Sequence, residues 1–119
     1  MAFWKGGRQD NETLLFNYIN VLLPRYSVER EASPEWLGNQ RLDIFISELN
    51  LAVEYQGQQH FKAVELFGGK EGFIKTKERD KEKFLKCTKN DIDLVYFTCK
   101  DNLSEKLVNK RLKKYIDGQ

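Results

Sequence analysis

Apolar residues recur at three- and four-residue intervals between Asn11 and Leu23: Leu15, Phe16, Ile19, Leu22 and Leu23. This spacing predicts an amphipathic helix, with Asp10 or Asn11 as its cap and Pro24 ending it. Tyr26–Arg30 follows as a first strand, and Ala32–Asn39, interrupted by Pro34 and Gly38, as a turn or loop. The pattern then changes to period two. Leu42, Ile44 and Ile46 place large apolar side chains on one face and leave Asp43 on the other. Leu51, Val53 and Tyr55 repeat the alternation, with Ala52, Glu54 and Gln56 opposite. The short polar link Ser47–Asn50 makes Arg41–Ile46 and Leu51–Gln56 the arms of a β-hairpin. Beyond the breaker cluster Gly68–Gly72, Phe73–Lys89 reads as a charged helix, Ile92–Thr98 as a buried strand and Leu103–Ile116 as a terminal helix. The predicted order is α-β-β-β-α-β-α, an α/β chain.

At 119 residues the chain has the length of a single domain, residues 1–119, with one core. No apolar run approaches the roughly 20 residues of a membrane span. The start MAFWKGG, charged and glycine-rich, lacks the apolar centre of a signal peptide. A cytoplasmic protein is the expectation. Cys87 and Cys99 form no CxxC and have one histidine, His60, to join them, so reduced thiols are expected rather than zinc. The net charge of +2 hides an uneven spread: Lys and Arg number 5 against 8 Asp and Glu in residues 1–60, and 15 against 10 in residues 61–119. Such a split suits a polyanion held by the basic half and cut at the acidic one, or else simply a lysine-rich helix kept soluble.

The hairpin brings Asp43 and Glu54 together. Two adjacent carboxylates repel, so the pair is disfavoured without a cation between them. Mg2+ suits that position, being a hard ion that takes oxygen ligands and retains water. The competing reading is the solvated face of an amphipathic hairpin.

The predicted order, with Asp on the second strand and Glu on the third, resembles the PD-(D/E)xK nuclease core. LAVEYQGQQHF, the FGGKEGF segment and TKERDKEKF resemble the phage and homing endonuclease group with the EDxHD signature, which is similar in turn to the very short patch repair endonucleases. The resemblance implies a restriction-endonuclease-like fold, a mixed central sheet flanked by helices. It also implies metal-dependent hydrolysis of double-stranded DNA with Mg2+, or Mn2+ as a substitute, in a bacterial or phage-infected cell. The signature would be Glu12, Asp43, His60 and Asp80, its variable position Glu54. The lysine of the general superfamily pattern is replaced by Gln56, and His60 is the natural substitute, since histidine moves protons near neutral pH.

The implied catalytic set is Glu12, Asp43, Glu54, Gln56, His60 and Asp80, with Asp43 and Glu54 holding the metal. Each residue has a plainer explanation. Glu12 suits a first helical turn whatever the function. Asp80, in line with Phe73, Phe84 and Cys87, would pair with Arg41 or His60. Gln56 and Gln59 would orient water or phosphate, or bond the backbone. Lys62, Lys70, Lys75, Lys77 and Arg79 would meet DNA phosphates, giving salt-dependent affinity, and Gly68–Gly69 would let amides approach a phosphate. Trp36 and Phe67, able in principle to stack on bases, are expected in the core. No helix-turn-helix or zinc finger is present in the pattern, so sequence recognition would come from a separate domain or a second copy. A mismatch nickase and a non-catalytic nucleic-acid-binding domain of the same fold are the alternatives.

Overall fold

The computed structural model describes residues 10–117, so the MAFWKGG segment lies outside the described residues. Helix α1 spans Asn11–Leu22. The Asp10 carboxylate caps it by accepting the Thr13 amide at 2.7 Å, and Leu15 and Ile19 are fully buried on one face. Strands β1 (Glu29–Ala32), β2 (Leu42–Ile46) and β3 (Leu51–Gln56) follow, then α2 (Gly69–Lys89), β4 (Asp93–Thr98), α3 (Glu105–Arg111) and α4 (Lys113–Asp117). The strands form one sheet in the order β1-β2-β3-β4. The short link between β2 and β3, with Asn50 at φ 51°, allows antiparallel pairing, whereas the α2 crossover returns β4 parallel to β3. The result is an α/β structure with a four-stranded mixed sheet flanked by helices.

Alternation sorts the sheet's side chains into two layers. Ile44, Ile46, Leu51, Val53 and Phe97 pack with Leu15 and Ile19 of α1, Val108 of α3, and Leu112. On the opposite face Ala32, Leu37, Ala52 and Ile92 are buried with Cys87 of α2, and Trp36, Phe45 and Leu94 lean on them. Among the described residues no helix is long and apolar enough to cross a membrane.

Four elements differ from the sequence pattern. The first strand begins at Glu29 rather than Tyr26, because the Tyr26 amide is still held by the Leu23 carbonyl and the Ser27 amide by the Glu48 side chain. Within 32–39, Glu35–Leu37 coils into a 3-10 turn that buries Leu37. Helix α2 starts at Gly69, four residues before Phe73. Gly68, at φ 91°, caps it, and a side chain at Gly72 would lie 1.9 Å from the Phe67 carbonyl oxygen, so this glycine lets the preceding turn fold onto the helix. The glycines therefore form the start of a helix. Lastly, the terminal helix is broken at Leu112, whose buried side chain sits between α3 and α4.

Candidate active site

The β2–β3 ladder pairs Ile46 with Leu51 and Ile44 with Val53, which carries Asp43 and Glu54 opposite one another one step further on. There side chains replace the backbone ladder. The Asp43 amide donates to Glu54 Oε2 at 2.6 Å, and the Tyr55 amide donates to Asp43 Oδ2 at 2.8 Å. Each carboxylate is thus held by the main chain of the other strand. On the far side of β2, Glu31 takes the left-handed conformation (φ 47°), so β1 also departs from regular strand geometry beside Asp43. Leu42 is buried with Ala32, Leu37 and Ala52, in the layer opposite Ile44 and Ile46. The expectation that all three share one face is corrected accordingly.

Helix α2 supplies the partners. Its inward stripe is Phe73, Thr76, Asp80, Lys83 and Cys87, three and four residues apart, and it carries charge where a stripe of this kind is ordinarily apolar. Phe84, expected in line with Asp80, is instead 49% exposed. Asp80 Oδ2 lies 2.9 Å from His60 Nδ1, and His60 ends the 3-10 turn Gln58–His60 that directly follows β3. Of the two plainer partners for Asp80, the structure selects His60; Arg41 pairs with Glu31 at 3.3 Å. Lys83 Nζ donates to Glu54 Oε1 at 2.6 Å, with 19% and 10% of the two side chains exposed.

Lys83 was not singled out from the sequence, where it is one cation among many in TKERDKEKF. A signal was available, because three residues after Asp80 and four before Cys87 it falls on the same inward stripe. It places an ammonium directly on Glu54. Gln56 itself is half-buried; its carbonyl accepts the Cys99 amide at 2.9 Å, and none of the described hydrogen bonds involves its side chain.

Charge repulsion is concentrated here. Burial, and then the Glu54 charge, push Asp43 up from 3.8 to about 6. Burial also raises Glu54, opposed chiefly by Lys83. Glu12, in the first turn of α1, is raised by burial and then by Asp43, although Arg30 stands 3.4 Å away. Glu12 therefore belongs to the same electrostatic cluster as the hairpin pair. Tyr96, the β4 partner of Glu54, is pushed up to about 12 by burial and by the Asp80 and Glu54 charges, so its phenol stays protonated.

A cleft of about 480 Å³ opens between α2, the His60 turn and residues 39–41. Gln59, His60, Asp80 and Lys83 line its inner wall, and Arg41, Phe67 and Arg79 are among the residues around it. Asp43 and Glu54 do not line it; Lys83 touches Glu54 on one side and the cleft on the other. Of the expected phosphate-binding residues, Arg79 lines the cleft, while Lys62, Lys70, Lys75 and Lys77 are exposed elsewhere on the surface. Lys77 lies over the rings of Phe61 and Phe73 at 5.3 and 5.6 Å, and Lys100 over Phe61 at 4.4 Å. Trp36 packs edge-on against Phe45, as a core residue should. Phe67 does not: it is 52% exposed, because the Glu65–Phe67 turn projects ahead of α2.

Among the described residues no three His, Cys, Asp or Glu side chains are grouped to hold a metal ion. The donor set nonetheless fits Mg2+, which takes one or two carboxylates and completes its shell with water and phosphate. Asp43 Oδ1 takes none of the described hydrogen bonds and is available as a ligand, with Glu54 beside it.

No family model matches the chain. Over 64 residues it is 41% identical to the uncharacterized protein 094L of Frog virus 3 (isolate Goorha). That match covers 50% of this chain and 41% of the viral protein, so the chain spans about two fifths of its relative's length.

Proposed function

We propose that this chain is a Mg2+-dependent endonuclease domain of the PD-(D/E)xK type acting on double-stranded DNA. The observation that carries the reading is the exchange of backbone amides between Asp43 and Glu54, which holds two mutually repelling carboxylates together beside a His60–Asp80 pair. The two carboxylates held side by side suit a hard cation, which would offset their repulsion. The chain order and the LAVEYQGQQHF stretch, similar to the EDxHD group, support the same reading.

Asp43 and Glu54 would hold the cation, which when bound polarises the scissile phosphate and offsets charge developing on its oxygens. His60 is the proton carrier. With Nδ1–H donated to Asp80, Nε2 is left to take a proton from the attacking water as it adds to phosphorus, while the opposite P–O ester bond breaks and its leaving oxygen takes a proton from solvent. Asp80 fixes the orientation of the ring. Glu12 adds negative charge near Asp43, and Arg79, Arg41 and the exposed lysines of α2 hold the polyanion by its phosphates. Sequence recognition would come from a separate domain or a second copy of the chain.

The test is cleavage of supercoiled plasmid at low salt with Mg2+ or with EDTA, alongside Asp43→Ala. The reading predicts Mg2+-dependent nicking or linearisation that Asp43→Ala lacks. Cleavage that survives EDTA or the substitution would refute it.

A further inference from the structure

We propose that Lys83 is the resident counter-ion of the carboxylate pair and closes the cation site until a DNA phosphate draws it away. The inference rests on reading Asp43 and Glu54 as that site, and goes beyond it by assigning the loading of the site to one side chain.

Three observations carry it. Lys83 Nζ lies 2.6 Å from Glu54 Oε1, within the space where a divalent ion ligated by Glu54 would sit. Glu54 is 7% exposed, so its charge depends on that contact, its other oxygen being held by the Asp43 amide. Lys83 also lines the cleft, where a lysine stem is long enough to swing the ammonium from the carboxylate to a phosphate oxygen without moving α2. In the free protein a divalent ion must displace an ammonium; in the DNA complex a phosphate holds that ammonium instead, and the carboxylates are released to the metal. Metal and DNA binding therefore reinforce each other.

The test is Mn2+ binding to the 119-residue protein without DNA, followed by the loss of the free-ion paramagnetic resonance signal, in wild type, Lys83→Met, Lys83→Arg and Asp43→Asn. Removing a unit charge this close to the site should tighten Mn2+ binding by Lys83→Met on the order of tenfold. Lys83→Arg should bind like wild type, and Asp43→Asn should abolish binding. A lysine that merely props up the fold predicts the opposite, weaker binding by Lys83→Met. Cleavage should move the other way: Lys83→Met slower at saturating Mg2+, Lys83→Arg partly restored. Binding by Lys83→Met no tighter than wild type, or none in any variant, overturns the counter-ion assignment. Mn2+ binding that survives Asp43→Asn instead removes the cation site itself and with it the proposed mechanism.

Discussion

Replacing Asp43 by Asn should make the protein more stable and inactive at once. The folded-state carboxyl is raised from 3.8 to about 6, by burial first and the Glu54 charge second. Between those two values the folded chain therefore holds a proton that the unfolded chain has lost. Asp43 is harmless to stability at pH 4 and below, and it becomes a cost as the pH rises through 6. At about 1.4 kcal/mol per pH unit, the gap corresponds to a ceiling of about 3 kcal/mol at pH 8. Solvent access and relaxation of Glu54 reduce the expected gain to about 1–2 kcal/mol. Asparagine retains an oxygen for the Tyr55 amide, so the main-chain contact survives. The assay is urea unfolding of wild type and Asp43→Asn in EDTA at pH 8, 6 and 4.5. The variant's advantage should be largest at pH 8 and shrink toward zero at the lowest pH. Added Mg2+ should erase it by stabilising the wild type alone. An Asp43→Asn protein no more stable than wild type at pH 8, or an advantage independent of pH, would refute the reasoning.

Two further outcomes follow from the same geometry. His60→Ala should abolish cleavage while leaving DNA affinity nearly intact in filter binding, since histidine is assigned the proton and not the phosphate; full activity in the variant would take it out of the mechanism. Phe67→Ala should change stability by less than about 0.5 kcal/mol, whereas Phe97→Ala, which removes a fully buried β4 side chain from the core shared with Val108 of α3, should cost about 3–5 kcal/mol in the same urea titration.

The hairpin was legible because period-two alternation is a local property, and Asp43 and Glu54 are only eleven residues apart. His60 and Asp80 were also legible, the first by following a strand closely and the second by interrupting an apolar stripe. Lys83 was not, since a lysine among lysines carries no mark of its own until the helix phase is known to a single residue; placing Phe84 on the stripe concealed it. Leu42 is grouped with the opposite layer, next to the point where Glu31 takes the left-handed backbone, a departure that alternation along β2 does not reveal. Gly68–Gly72 read as a loop because glycine ordinarily breaks helices; here Gly72 is required by a carbonyl packed against it.

The spacing of these contacts also orders the way the site comes together during folding. The Asp43–Glu54 exchange closes a loop of eleven residues, whereas the Lys83–Glu54 contact spans 29 and the His60–Asp80 contact 20. Short loops close first, so the hairpin pairs before Lys83 reaches Glu54 and before Asp80 reaches His60, both of which come only when α2 docks. The same sequence in reverse means that brief detachment of one helix separates Lys83 from Glu54 and Asp80 from His60 while leaving the hairpin paired.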